Sequence, residues 1–88
     1  MTKDSVDEIK AIVKSYLLEE FLPGESPDAL DDSTPLLSSG ILDSLSTIKL
    51  VSFLEERFGV EFEAHEISRD NLDTLDLIAS IVAAKQSR

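Results

Sequence analysis

Apolar residues recur at helical spacing in three stretches of the chain, and each stretch predicts an α-helix. The first helix is expected from about residue 6 to residue 22. Ser5 and Glu8 match a capping box at its start, and Pro23 interrupts the pattern at its end. The apolar positions of this helix are Ile9, Ile12, Val13, Tyr16, Leu17 and Phe21.

The second helix is expected from residue 44 to residue 58, with Asp43 as its N-cap and Gly59 as the residue that ends it. A helical wheel places one broad apolar arc toward the expected core. Leu45 falls on the opposite side with Lys49, so it is expected to be exposed to solvent. The residues of the apolar arc are Ile48, Leu50, Val51, Phe53, Leu54 and Phe58.

The last main helix is expected from residue 74 to about residue 85, with Asp73 as its cap. Residues 60–62 before it are expected to form an extended link into a short turn near residues 64–67. Because the apolar residues of the last helix form two stripes, it is expected to lie wedged between other helices. One stripe consists of Leu75, Ile78, Ala79 and Val82, and the other of Leu77, Ile81 and Ala84.

A long loop joins the first two helices over residues 23–42, where all three prolines occur and no hydrophobic period is present. Leu30, Leu36 and Leu37 are expected to anchor this loop to the core. We therefore predict an all-α fold, a small bundle of three main helices and one short helix, with a long loop after the first helix. The predicted core consists of Ile9, Ile12, Val13, Leu17, Leu50, Leu54, Phe58, Ile78 and Val82.

Length and charge narrow the classes of function. The 88 residues are expected to form a single domain over positions 1–88, ordered from about residue 5 to residue 85. A domain of this size leaves little room for a deep catalytic pocket, so we expect a module that acts together with other proteins. The net charge of -10 disfavours nucleic acid and anionic membrane surfaces as partners.

The chain has no cysteine, which excludes a thiolate metal site and a cysteine nucleophile and is compatible with a reducing compartment. It also has no apolar run near the length that spans a bilayer. The amino-terminal residues show no signal-peptide pattern. We therefore expect a cytoplasmic protein.

Residues suited to catalysis or metal binding are sparse. His65 is the single histidine, and Ser44 is not part of a Gly-x-Ser-x-Gly elbow, so a serine hydrolase is not expected. Asp28, Asp31 and Asp32 lack the glycine and the distal glutamate of a calcium-binding EF-hand loop. We predict no catalytic residue and no metal site.

Residues 40–45 have a more specific arrangement, because a glycine-containing loop leads into Ser44 at a predicted helix start. Taken alone, Asp-Ser-Leu is also typical of an ordinary helix start in which Asp43 is the cap. The start of a helix presents unpaired N–H groups and a positive partial charge. Both would favour a phosphate esterified to Ser44.

The long first helix, the long loop, Asp-Ser-Leu at the start of the second helix and Phe-Gly-Val at its end together resemble an acyl carrier protein, over about residues 6–85. The resemblance implies that Ser44 carries a covalent 4'-phosphopantetheine arm, which a transferase attaches from coenzyme A. It implies that the arm holds an acyl or aminoacyl group as a thioester and that the chain is not itself an enzyme. The family's partner-engaging residues on either side of the serine map to Asp43 and Leu45.

Three features differ from fatty-acid carriers: Gly40 stands four residues before the serine, Ser46 replaces the usual acid, and Lys49 stands on the recognition face. Residues 40–44 and 69–74 are instead similar to the D-alanyl carrier proteins of cell-wall modification and to other specialised carriers. A peptidyl carrier usually has histidine where this chain has aspartate before the serine. A general acyl carrier and a D-alanyl or other aminoacyl carrier both stay open.

The resemblance also implies the partners. These are a phosphopantetheinyl transferase and the ligases or synthases that load the arm, acting on a monomeric carrier in lipid or secondary-metabolite biosynthesis. From position 43 to position 66, six acids stand against two bases, which favours basic partner surfaces. The residues expected to engage partners are Asp43, Leu45, Lys49 and Glu56.

Two other classes fit part of the pattern. A helix-turn-helix DNA binder fits several short helices but conflicts with the acidic charge. An unmodified acidic interaction domain fits both size and charge. Intact mass separates this last class from a carrier, since only the carrier gains a phosphopantetheinyl group.

Overall fold

The computed structural model describes residues 5–26, 28 and 30–87, and this part of the chain contains four α-helices and no strand. In chain order the helices are α1 (Val6–Phe21), α2 (Ser44–Phe58), α3 (Arg69–Leu72) and α4 (Leu75–Gln86). The all-α prediction is confirmed, as are the three main helices, α1, α2 and α4. The predicted short helix is present as α3, although its position was not predicted, and the expected turn near residues 64–67 is a 3-10 turn at Ala64–Glu66.

Local signals explain why the two long helices begin and end near the expected positions. The Glu8 N–H donates to Ser5 Oγ at 3.1 Å, and the Ser5 N–H donates to Glu8 Oε1 at 3.3 Å, which completes the capping box of α1. Gly59 ends α2 in the left-handed region, at φ +68°, and its N–H donates to the Glu55 carbonyl at 3.0 Å. Both ends are therefore set by residues within one turn of them.

The core lies between α1, α2 and α4 and is completed by leucines of the long loop. Eight of the nine predicted core residues are buried, and Ile12 is half-buried against them. Leu30 and Leu36 are buried as expected, Leu37 is half-buried, and Leu42 is buried as well. The loop therefore contributes to the core rather than lying over it.

Two predictions about the last helix are wrong. Thr74, not Asp73, is the N-cap of α4, and its Oγ1 accepts the Leu77 N–H at 3.1 Å. The second apolar stripe is largely on the surface, because Leu77 and Ala84 are exposed and only Ile81 is half-buried. The helix does contact α1, α2 and α3, but it uses its first stripe to do so.

A buried ion pair ties the segment after α2 to α4. Lys85 Nζ lies 2.6 Å from Glu66 Oε1, and the two side chains are only 5% and 12% exposed. The Lys85 ammonium also lies 4.9 Å from the centre of the Phe62 ring, which favours the cation further. Because the Glu66 carboxylate accepts the Glu63 N–H as well as the Lys85 bond, its pKa is lowered.

Among the described residues, no helix is both long enough and apolar enough to cross a membrane. Residues 1–4, on which the expectation about a signal peptide rests, lie outside the described residues.

Candidate functional site

The start of α2 has the geometry that its sequence predicts. Asp43 is in the extended region, and its Oδ1 accepts the Ser46 N–H at 2.8 Å. The Asp43 carbonyl accepts the Thr47 N–H at 2.9 Å and the Thr47 hydroxyl at 2.7 Å. The bond from the Ser46 N–H is the main reason why the pKa of Asp43 is lowered. Asp43 is confirmed as the N-cap, and Ser44 is left as the exposed first residue of the helix.

Backbone hydrogen bonds fix the conformation of the turn before Ser44. Gly40 has φ +86°, a conformation that an L side chain would strain, and its N–H donates to the Leu37 carbonyl at 3.2 Å. The Leu42 N–H donates to the Leu36 carbonyl at 2.9 Å, and both leucines are buried. The chain therefore enters α2 along a fixed path that leaves Ser44 at the surface.

The Asp73 side chain accepts hydrogen bonds from the long loop before α2. The sequence pattern did not predict this role, because it assigned Asp73 as the N-cap of α4. Asp73 Oδ1 accepts the Leu37 N–H at 2.8 Å and the Ser38 N–H at 3.0 Å, and its Oδ2 accepts the Ser38 hydroxyl at 2.8 Å. Its carbonyl accepts the Leu36 N–H at 2.6 Å. These bonds, led by the one from the Ser38 N–H, lower the pKa of Asp73. Ser38 and Asp73 are 35 positions apart in the chain, so a local sequence pattern could not predict this contact.

An open groove of about 530 Å³ lies beside Ser44, which forms part of its wall. Leu37, Ile48 and Ile67 contribute apolar surface to the groove, and Arg69 contributes a cation. An exposed hydroxyl at a capped helix start, with an open groove next to it, suits the attachment of a long flexible group. The residues present therefore fit a phosphopantetheine arm.

The outer face of α2 carries more apolar surface than the helical wheel predicts. Leu45 is 64% exposed, as expected. Ile48 is 57% exposed, so its placement in the core-facing arc is wrong. The two side chains are three residues apart and lie on neighbouring turns of one helix face. The helical wheel was wrong about Ile48 because its apolar arc is wider than the surface that other elements cover at the amino end of α2.

The other predicted partner residues are also on the surface. Lys49 and Glu56 are exposed, and the Lys49 carbonyl accepts the Tyr16 hydroxyl of α1 at 3.3 Å. The acidic surface is smaller than the count of acids suggests, because Glu66 is buried and Glu55 accepts the Phe62 N–H at 2.8 Å. The acids of this region that remain exposed are Asp43, Glu56, Glu61 and Glu63.

The alternative sites do not form within the described residues. His65 is exposed and does not line the groove beside Ser44, so the pair for a hydrolase is not assembled. No group of acidic or histidine side chains in the part of the chain that the structure describes could hold a metal ion.

The chain is similar to known proteins over most of its length. A family model described as a phosphopantetheine attachment site matches residues 7–82. A D-alanyl carrier protein of Streptococcus sanguinis (strain SK36) is 35% identical over 71 residues, which cover 81% of this chain and 86% of that protein. D-alanyl carrier proteins of Streptococcus gordonii and Streptococcus thermophilus are each 34% identical over the same shares. A chain in the crystal structure of an FAD-dependent dehydrogenase is 34% identical, with a TM-score of 0.70 over 77% of this chain and 94% of that one.

Proposed function

Because the chain belongs to the family of phosphopantetheine-binding carrier proteins, we propose that Ser44 is the residue to which its prosthetic group is attached. The chain is a carrier and not an enzyme, and its prosthetic group is 4'-phosphopantetheine. When bound, this group supplies a thiol at the end of a flexible arm. Carriers of this family are modified by phosphopantetheinyl transferases and loaded by ligases.

Exposure and hydrogen bonding support Ser44 over its neighbours. The Ser38 hydroxyl donates to Asp73, and the Ser39 hydroxyl donates to the Pro35 carbonyl, so both are engaged in the loop. The Ser44 hydroxyl has no hydrogen-bond partner among the described residues and opens onto the groove. Ser44 is the first residue of α2, where the positive partial charge at the start of a helix favours a phosphate.

Intact mass tests the attachment residue. The native chain, Ser44→Ala and Ser46→Ala should each be incubated with coenzyme A and a transferase of broad specificity. We expect the mass of one phosphopantetheinyl group on the native chain and on Ser46→Ala, and none on Ser44→Ala. An equal gain on Ser44→Ala would reject the proposal, and Ser46→Ala controls for a change within the same helical turn.

We further propose that the arm carries an aminoacyl group, loaded by a ligase that activates the amino acid. The D-alanyl carrier proteins among the relatives support this class, as do Gly40, Ser46 and Lys49, which differ from the fatty-acid pattern. A loading assay should compare D-alanine with other amino acids and with simple carboxylic acids, using ligases of each class. Loading by acyl ligases alone would leave the general acyl carrier as the function.

The solved structure supports a second candidate, in which a flavin-dependent dehydrogenase oxidises the carried group. The distinguishing result is the loss of the mass of two hydrogens from the loaded carrier, with reduction of the flavin. A loaded carrier that such enzymes leave unchanged would favour the aminoacyl ligase pathway alone.

We also propose that the chain works as one monomeric domain in the cytoplasm, where coenzyme A and the loading enzymes are available. Tethering then turns each encounter between cargo and partner into an effectively intramolecular one, at a local concentration on the order of mM. Sedimentation of the modified chain should give the mass of one copy.

A further inference from the structure

Arg69 is a cation beside the proposed attachment site, and its side chain has no hydrogen-bond or ion-pair partner among the described residues. It is the first residue of α3, its side chain is exposed, and it lines the same groove as Ser44. Among the described residues, no carboxylate lies within ion-pair distance of it. By contrast, Lys10 pairs with Asp32 and Asp76, at 3.2 and 2.5 Å. Arg69 therefore has its full hydrogen-bonding capacity available.

The charge of the site explains what Arg69 could bind. A phosphodiester on Ser44 would add a negative charge next to the Asp43 carboxylate, which lines the same groove. The chain already carries a net charge of -10, so this anion would be placed in a repulsive field. Among the described residues that line the groove, Arg69 supplies the only cation, and a guanidinium matches the geometry of phosphate oxygens.

The apolar wall of the groove matches the next part of the arm. In phosphopantetheine the phosphate is followed by a methylene and then by a carbon that bears two methyl groups, and the two amides come only after a further, hydroxyl-bearing carbon. Ile48 and Ile67 present apolar surface to the groove that Ser44 and Arg69 share. An arm that enters this groove would therefore meet a cation at its phosphate and apolar side chains at its methyl groups.

The two sides of the groove are held in place by bonds that do not involve the arm. Leu72 of α3 is buried, and the Asp73 N–H donates to the Arg69 carbonyl at 3.3 Å. The Asp73 carboxylate in turn accepts the Leu37 N–H, so α3 and the opposite side of the groove are linked through one residue. The position of Arg69 relative to Leu37 is thus set before any arm is attached.

We propose that Arg69 is a positioning residue that pairs with the phosphate of the arm and directs the arm along this groove. The proposal rests on the proposed attachment at Ser44. It assigns Arg69 no part in the chemistry of loading. Its role is to fix the direction in which the first segment of the arm leaves the helix.

Nuclear magnetic resonance of the full modified chain tests this role. The chain should be loaded from coenzyme A whose geminal methyl groups are isotopically labelled, and loading should first be verified by intact mass. The measurement is the nuclear Overhauser effect between these methyl groups and the methyl groups of Ile48 and Ile67. It is compared among the native chain, Arg69→Gln, Arg69→Lys and Arg57→Gln. Arg57→Gln is the matched control, because it removes the same charge from an exposed arginine that does not line the groove.

We expect the native chain to show the effect, and Arg69→Gln to reduce it by about two- to fivefold, the range expected for an exposed ion pair. Arg69→Lys should retain most of it, and Arg57→Gln should match the native chain. High salt should reduce the native signal toward that of Arg69→Gln. Equal signals in Arg69→Gln and the native chain, no signal in the native chain, or an equal reduction in Arg57→Gln would overturn the inference while leaving attachment at Ser44 intact. If no mass is gained at Ser44, the proposed function fails first.

Discussion

Large apolar side chains are buried at the carboxyl end of α2 and exposed at its amino end. At its carboxyl end, Leu54 is fully buried and Phe58 is 5% exposed. At its amino end, Leu45 and Ile48 are 64% and 57% exposed. Both ends have a similar apolar content, so the difference comes from what covers them. The carboxyl end packs into the bundle, whereas nothing in the described chain covers the outer face next to Ser44.

This difference in burial predicts that the carboxyl end of α2 contributes to folding and the amino end to partner recognition. Burying an apolar side chain of this size is worth about 1.5–3 kcal/mol, and the chain does not gain this from Leu45 or Ile48 on its own. Adjacent exposed apolar residues, here beside the proposed attachment site, are typical of a surface that a partner covers. We therefore expect substitutions at the carboxyl end to change stability and substitutions at the amino end to change encounters with partners.

The largest expected effect is at the buried end. Leu54→Ala should lower the free energy of unfolding by about 2–5 kcal/mol, because it removes a fully buried side chain and leaves a cavity. Denaturant unfolding measures the change. Leu45→Ala, the same substitution at the exposed end of the same helix, is the control and should unfold like the parent. Equal unfolding curves for Leu54→Ala and the parent would show that the two ends do not differ.

The next effect is at the exposed end. Leu45→Ala and Ile48→Ala should each slow modification by the transferase, since each loses up to about 1.5–3 kcal/mol of burial if the partner covers it. The initial rate of modification at limiting carrier concentration is the measurement. Stability should not change, so normal melting with normal rates in both variants would place the docking surface elsewhere. Ile48 is the sharper test, because the sequence assigned it to the core.

A smaller effect concerns the loop that leads to Ser44. The folded pKa of Asp73 is lowered below its unfolded value of about 3.9, because its carboxylate accepts hydrogen bonds from the Ser38 N–H, the Ser38 hydroxyl and the Leu37 N–H. The stabilisation is therefore present above about pH 4 and is lost as the pH falls through the lowered pKa.

Asp73→Asn should accordingly unfold more easily than the parent at neutral pH, and the two unfolding curves should converge in acid. Asp70→Asn is the control, since its exposed carboxylate makes no hydrogen bond among the described residues. If the difference in the free energy of unfolding between Asp73→Asn and the parent stayed constant with pH, the assigned role of the carboxylate would be contradicted.

The smallest effects come from exposed charges on the outer face of α2. Glu56→Lys should slow association with a basic partner most at low salt, by an amount corresponding to about 0.2–1 kcal/mol. Glu19→Lys makes the same charge change on the exposed surface of α1 and should have less effect. Salt-independent rates for Glu56→Lys would indicate that partners do not approach this face.

A substitution at Lys49, on the same face of α2, tests which class of partner enzyme the carrier prefers. Lys49→Glu should improve use of the carrier by fatty-acid synthesis enzymes and impair loading by the cognate ligase, because it restores the acid pattern from which this chain departs. Rates with both enzyme classes measure the change. Identical shifts with both would mean that Lys49 does not distinguish them.

The features that the sequence alone determined are those set within one or two turns of the chain. The start of α1 depends on Ser5 and Glu8, and the limits of α2 depend on Asp43 and Gly59. Hydrophobic periodicity was enough to identify most of the core, because the same spacing that forms a helix face also decides which side is buried. The proposal that Ser44 carries the arm likewise rests on a local motif, Asp-Ser-Leu at residues 43–45.

The remaining features needed the tertiary structure, because they depend on residues that are distant in the chain. Periodicity reports that Ile48 is apolar but not whether another element covers it. By sequence alone, Asp73 and Thr74 are equally suitable N-caps for α4. Only the folded structure shows that the Asp73 carboxylate accepts the N–H groups of Leu37 and Ser38 instead. Glu66 and Lys85 each resemble a solvated surface residue until folding brings them to 2.6 Å. The groove lined by Ser44 and Arg69 likewise exists only once the long loop and the start of α3 lie next to the start of α2, since tertiary packing, and not local propensity, creates the space between elements.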